Sequence, residues 1–307
     1  MARFILLSYE FRGIRPTPQS RELELFPEYA PKVVDDNFDR KQELFGNFFQ
    51  QENFPETFFY RGRFYNVNLV WSYGGIIVFQ MERRGWTKQA LNFHNNKIPN
   101  NPWIDIIVDN RKGQQFIAVR KNTKMFKYVH TVAQILEENF SYWMTKNYGL
   151  EVSVKLQYRS KVFWDIYNRF NKSHHIEKLQ FNFPFPNKDW ISENIEGLML
   201  FGKERNGATR LGLEAAKDEC LYFEETEENK KLVNACSGTG ADVLIKPKNH
   251  GVIHVIKEMN PIEQDMGDGT LQKVLDTSAE QNIFEENDLT PYLKAAEFLN
   301  KCKQYYE

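Results

Sequence analysis

Asp105 and Asp109 are the first residues whose chemistry invites a reaction, because paired carboxylates with a lysine close by can hold a divalent ion and activate water in a nuclease. They stand four apart in Ile104–Asp109, a run with the composition of a strand. On a strand they share a face but lie about 13 Å apart at ~3.3 Å per residue, too far for one ion without a bulge. The carboxylate-x-Lys pair of a following strand is also missing, since Glu151 and Lys155 are again four apart. The plainer reading makes both acids charges at a hairpin edge. An atypical metal-dependent nuclease built on Asp105 or Asp109 is kept as an alternative.

His250-x-x-x-His254 has the spacing of a zinc pair on a helix, but the intervening Gly251-Val252-Ile253 favours turn and strand, where the two rings are too far apart for one ion. Cys220 and Cys236 lack the Cys-x-x-Cys closeness of a structural site, and His174-His175 reads as an exposed turn. Ser237-Gly238-Thr239-Gly240 follows an expected helix and lacks the Gly-Lys-Ser/Thr ending of a phosphate loop, so Gly238 is expected to be a helix C-cap. A Cys236 nucleophile needs an oriented base, and His254 is its one imaginable partner. No metal and no cofactor are expected, and the chain is not expected to be catalytic on its own.

Charge is distributed unevenly. The 307 residues carry a formal charge of -1. Residues 1–110 balance 13 Lys and Arg against 13 Asp and Glu; residues 111–188 hold 14 against 5, a net of +9; residues 189–307 hold 13 against 23, a net of -10. A basic segment suits a polyanion, and unpaired bases stack on exposed aromatic faces. The candidate phosphate contacts are Arg111, Lys112, Arg120, Lys121, Lys124, Lys127, Lys155, Arg159, Lys161, Arg169 and Lys172, and they are expected to converge in one groove. Trp164 and Tyr128 fall outside the core period and are expected to be free to stack. The opposed basic and acidic parts could instead pair between copies or fold on one another, as in an oligomeric scaffold.

The elements that must carry these residues follow from periodicity. Phe4–Leu7 begins a first strand, 13–37 reads as an irregular arm, and Asp39–Gln51 as a short helix. Phe64–Tyr73 with Ile76–Glu82, and Ile104–Asp109 with Gln114–Lys121, form two hairpins; in the first, Tyr65, Val67, Leu69, Trp71 and Tyr73 alternate on one face. A long helix carries Val129 to Met144 on one stripe and ends just before Gly149, Glu151–Tyr158 is a strand, Ser160 caps the next helix, and Leu179–Phe185 is a strand. Further on, helices are expected near 189–201 and 226–236 and from Thr290. Strands are expected at 219–223, 242–247 and 252–257, with a loop over 259–269.

The fold class is therefore α+β, two modules on antiparallel or mixed sheets with helices on one face, divided into residues 1–187 and 188–307. Three cysteines, an odd count, suit a reducing compartment, and no apolar run reaches the length of a membrane span, so a cytoplasmic protein without a membrane partner is expected.

Four segments carry a likeness to known proteins: Asp109–Asn122, Phe163–Asn168, Gln180–Asn187 and Gly238–Lys248. In order and flavour they resemble those of bacterial proteins carried near mobile elements and phage-defence genes. The resemblance spans about half the chain and implies an accessory, sensor or effector in a defence or mobile-element setting, with nucleic acid as its cue. The leading expectation is thus a nucleic-acid-binding accessory protein, taking single-stranded or structured DNA or RNA, since no helix has a dense Arg/Asn/Gln reading face.

Overall fold

The computed structural model describes residues 3–13, 34–91, 94–182, 210–216, 219–258, 260–265 and 290–303. The chain is α+β, as expected: two antiparallel sheets, helices on them, and a separate two-stranded ribbon.

The large sheet is made of β1 (Arg3–Gly13), β2 (Thr57–Tyr60), β3 (Arg63–Tyr73), β4 (Ile76–Glu82), β7 (Trp103–Asp109), β8 (Phe116–Arg120), β9 (Leu150–Leu156) and β14 (Glu263–Asp265). Their order is β14-β1-β8-β7-β4-β3-β2, with β9 also paired to β1. Both expected hairpins form, β3 with β4 and β7 with β8. Strand β1 alternates between two cores. Leu7, Tyr9 and Phe11 face α1 (Val34–Asp39), α2 (Lys41–Phe48) and α3 (Val129–Tyr148), while Phe4 and Leu6 face α6 (Thr290–Lys303). On the first face Phe45, Phe49 and Phe140 meet edge to face with centroids 5.0 to 5.7 Å apart. On the second, Ala295, Phe298, Leu299 and Cys302 cover Ile76, Val78, Ile107 and Ala118. Helices thus cover both faces of this sheet, because the far end of the chain returns to it.

The register departs from simple alternation once. Leu69 pairs with Phe79 but Trp71 pairs with Val78, so Val70 is an extra residue in β3. The bulge sends Trp71 to the α6 face, away from Tyr65, Val67 and Leu69, where regular pleating would have kept it.

The second sheet has the order β11-β10-β12-β13, from β10 (Ile176–Asn182), β11 (Arg210–Glu214), β12 (Val243–Pro247) and β13 (Ile253–His254). Helices α4 (Ser160–His174) and α5 (Glu227–Thr239) share its core through Phe163, Tyr167, Val233 and Cys236. The division therefore does not fall at 187/188: α4 and β10 belong to the second sheet, whereas β14 and α6 belong to the first. The hydrophobic faces of α4 and β10 can be buried only against β12 and α5, which come later in the chain.

Local signals erred by a residue or two. Arg159 occupies the N-cap of α4 without a side-chain bond, and Ser160 is the first helical residue. Gly240, not Gly238, is the left-handed C-cap of α5, at φ 68°. Residues 219–223 are not a strand, 252–257 contains only the two-residue β13 followed by a 3-10 turn, and 259–269 contains β14. Of the arm expected over 13–37, residues 34–37 belong to α1 and 14–33 lie outside the described residues, as do the helix near 189–201 and the strand end at Phe183–Phe185.

Where β9 leaves β1 and β14 takes its place, three backbones close a ring of hydrogen bonds. Gln157 N donates to Leu6 O at 3.0 Å, Leu6 N to Ile262 O at 3.1 Å, and Ile262 N to Gln157 O at 3.1 Å. The C-terminus of α5 sits beside this junction, with Ser8 Oγ donating to Thr239 O at 2.7 Å and Gln157 Nε2 to Gly238 O at 2.7 Å.

Candidate nucleic-acid interface

The expected cations do not share one groove. Arg111 and Lys112 follow β7, whose far end at Trp103 is about 20 Å away at ~3.3 Å per residue. Lys161, Arg169 and Lys172 are exposed along α4, with Arg159 at its start, on the second sheet. Lys155 lies in β9 opposite Ser8. A shared segment of sequence is not a shared surface here, because successive strands and helices carry their charges to different ends and sheets.

One group does converge. The end of β4, the start of β7, the end of β8 and the turn before α3 meet at one end of the large sheet. Their backbones are tied together: Asn122 Nδ2 donates to Trp103 O at 2.9 Å, Lys124 N to Asn122 Oδ1 at 3.0 Å, and an Arg83 Nη to Lys124 O at 3.0 Å. Three rings stand open there, Trp86 at 69%, Tyr128 at 63% and Trp103 at 36% exposure. Lys127 Nζ is 5.2 Å from the Tyr128 ring centre, and the Arg120 guanidinium 5.1 Å from that of Trp103.

The cations of this rim differ in freedom. Arg120 pairs with Asp105 at 3.1 Å and Lys121 with Glu263. Lys124, Lys127 and Arg84 are exposed and make no ion pair among the described residues. Arg120 is thus held beneath Trp103 as a support for its ring, while Lys124 and Lys127 keep their charge for an outside group. Arg83, Arg84, Trp86 and Trp103 were not singled out from sequence. The signal was present, however: Arg83 to Ile104 contains no Asp or Glu.

Trp164 requires correction. It is 7% exposed, stacked on Phe223 at 5.5 Å and set edge-on to Phe163, so it is a core ring and no base platform. The irregular segment 219–226 closes over it, which helical period alone does not reveal.

The acids are not hairpin-edge charges. Asp105 and Asp109 are fully buried on the α6 face, flanking Ile107. Asp105 accepts from Gln80 at 3.1 Å as well as from Arg120, and Asp109 accepts from Arg111 Nε at 2.8 Å and one Nη at 2.7 Å. The Arg111 guanidinium, held chiefly by that hydrogen bond, has its pKa raised and also reaches Asn300 of α6 at 3.2 Å. Both carboxylates therefore anchor guanidinium groups.

His254 and Cys236 likewise have structural partners. His254 Nδ1 is 2.6 Å from Asp242 Oδ2, and His250 lies in an exposed turn. Burial pushes the Cys236 thiol up to about 12, which leaves no thiolate for attack at neutral pH. Among the described residues no three His, Cys, Asp or Glu side chains are grouped to hold a metal ion, and no helix is long and apolar enough to cross a membrane.

No family model, no curated protein and no solved structure matches the chain, and its function is argued from its own residues.

Proposed function

We propose that the chain binds nucleic acid at the rim formed by Trp86, Trp103 and Tyr128 with Arg83, Arg84, Lys124 and Lys127. The observation that carries this reading is the pairing of open rings with unneutralised lysines on a backbone fixed by hydrogen bonds. Such a surface offers what an unpaired strand needs, π faces for bases and ammonium groups for phosphates. Pre-set rings also lose little conformational freedom on binding. In the defence or mobile-element setting that the sequence resemblance implies, the protein serves as a cytoplasmic accessory or sensor without chemistry of its own.

The test is fluorescence anisotropy with labelled single-stranded DNA and RNA over a salt series. Affinity is expected to fall steeply with salt, and Trp103→Ala or Tyr128→Ala to weaken binding by about 1 to 3 kcal/mol each. The oligonucleotide is expected to remain intact with magnesium or manganese. Absence of binding at low salt removes the reading and leaves the oligomeric scaffold, which sedimentation would then show as a salt-sensitive assembly.

A further inference from the structure

Strands β5 (Trp86–Leu91) and β6 (His94–Pro99) pair with each other and with neither sheet. They leave the large sheet between β4 and β7, at the rim just described. A ribbon of two strands is marginal alone in water, and its sequence makes that worse. The register sets Lys88 directly opposite Lys97, like charges that destabilise an antiparallel pair. No Asp or Glu occurs between Glu82 and Asp105 to offset them.

The root of the ribbon is, by contrast, firmly held. Arg83 N donates to Pro102 O at 3.0 Å, Asn100 N to Gly85 O at 2.9 Å, and Gly85 N to Asn101 Oδ1 at 3.1 Å. Asn101 in turn donates to Glu82 at 3.2 Å. At Gly85 a Cβ would stand 2.4 Å from Asn100 O, so only glycine lets the two chains approach this closely. An acid-free arm on a fixed root is suited to a polyanion outside the chain.

Beyond the root, β5 and β6 carry amides and lysines at opposed positions, Gln89 with Asn96 and Lys88 with Lys97, and Ala90 faces Asn95. Trp86, at the root, is the one Trp, Tyr or Phe of these strands, and His94 opens β6. This composition suits hydrogen bonding to base edges rather than stacking. The major groove of B-form DNA is about 12 Å wide and admits a two-stranded ribbon, whereas that of A-form RNA is too deep and narrow to be read.

We infer that β5–β6 is a groove arm for duplex DNA, and that the preferred ligand is a duplex next to an unpaired strand, the duplex held by the arm and the bases by the rim. This inference rests on the rim as a nucleic-acid site. Its test compares a single strand, a blunt duplex and a forked DNA carrying both.

The intact chain is expected to bind the fork roughly tenfold or more tightly than the single strand. Lys88→Ala/Lys97→Ala is expected to erase that advantage and lower the fork's salt slope by about two, with single-strand affinity unchanged. The double change removes a repulsion, so its melting temperature should hold or rise. Equal affinity of the intact chain for fork and single strand overturns the arm while sparing the rim, as does an equal loss for both ligands in the double variant. Failure to bind any of the three DNAs overturns the arm, and failure to bind single-stranded RNA as well overturns the rim.

Discussion

Cys236 shows how a reactive residue type becomes an inert one. Its Sγ is buried against the second sheet, and desolvation leads the upward shift of its thiol, with the charge of Glu10 adding to it. Because the folded value of about 12 exceeds the ordinary 9.0, the neutral thiol contributes stability that is intact below about pH 9 and lost as pH rises toward 12. Denaturant titrations from about pH 8 to 11 should therefore show an alkaline loss that Cys236→Ala reduces. Iodoacetamide should label Cys220, which is half-buried, well before Cys236 or Cys302. Residue types were legible in the sequence and their surroundings were not. Asp105 and Asp109 look like open acids until Arg120 and Arg111 are found over them, and Trp164 looks free until Phe223 is placed on it.

Elements with a long period were legible and their ends were not. The stripe Val132, Leu136, Phe140 and Met144 predicts α3 and Gly149 its left-handed cap, because local spacing and one special φ decide both. Val70 gives no such sign, since a bulge depends on what the neighbouring strand pairs with. Gly240 is decided by its surroundings too. It combines φ 68° with a position where a Cβ would stand 2.2 Å from Leu156 O. Gly240→Ala is expected to cost about 2 kcal/mol or more, read as a shift in denaturant midpoint, because the backbone of α5 or β9 must move. The same change should loosen the contacts of Thr239 and Gly238 with β1 and Gln157, visible as faster amide exchange at Gln157.

At the level of the whole molecule, the order of elements in sequence is not their order in space. Fragments 1–187 and 188–307 are each expected to fail to unfold cooperatively, as followed by circular dichroism. The first lacks α6 over Phe4, Leu6 and Ile107, and the second lacks β10, the strand that pairs with both β11 and β12. Two fragments with independent, sharp transitions would contradict this topology. The charge asymmetry was visible from sequence, but its fate was not. Part of the acidic segment, at Glu263 and Asp265, neutralises Lys121 and Arg3 within the same chain, and that contact rests on a strand of three residues.

That short strand also guards the molecule against its neighbours. Along Arg3–Ile5, β14 occupies the side of β1 that β9 has left vacant. Without it, one of the most apolar stretches of the chain would present unsatisfied amides and carbonyls to solvent, a template on which a second copy could add its own first strand. The three residues of β14 thus cover an edge on which a second copy could otherwise pair.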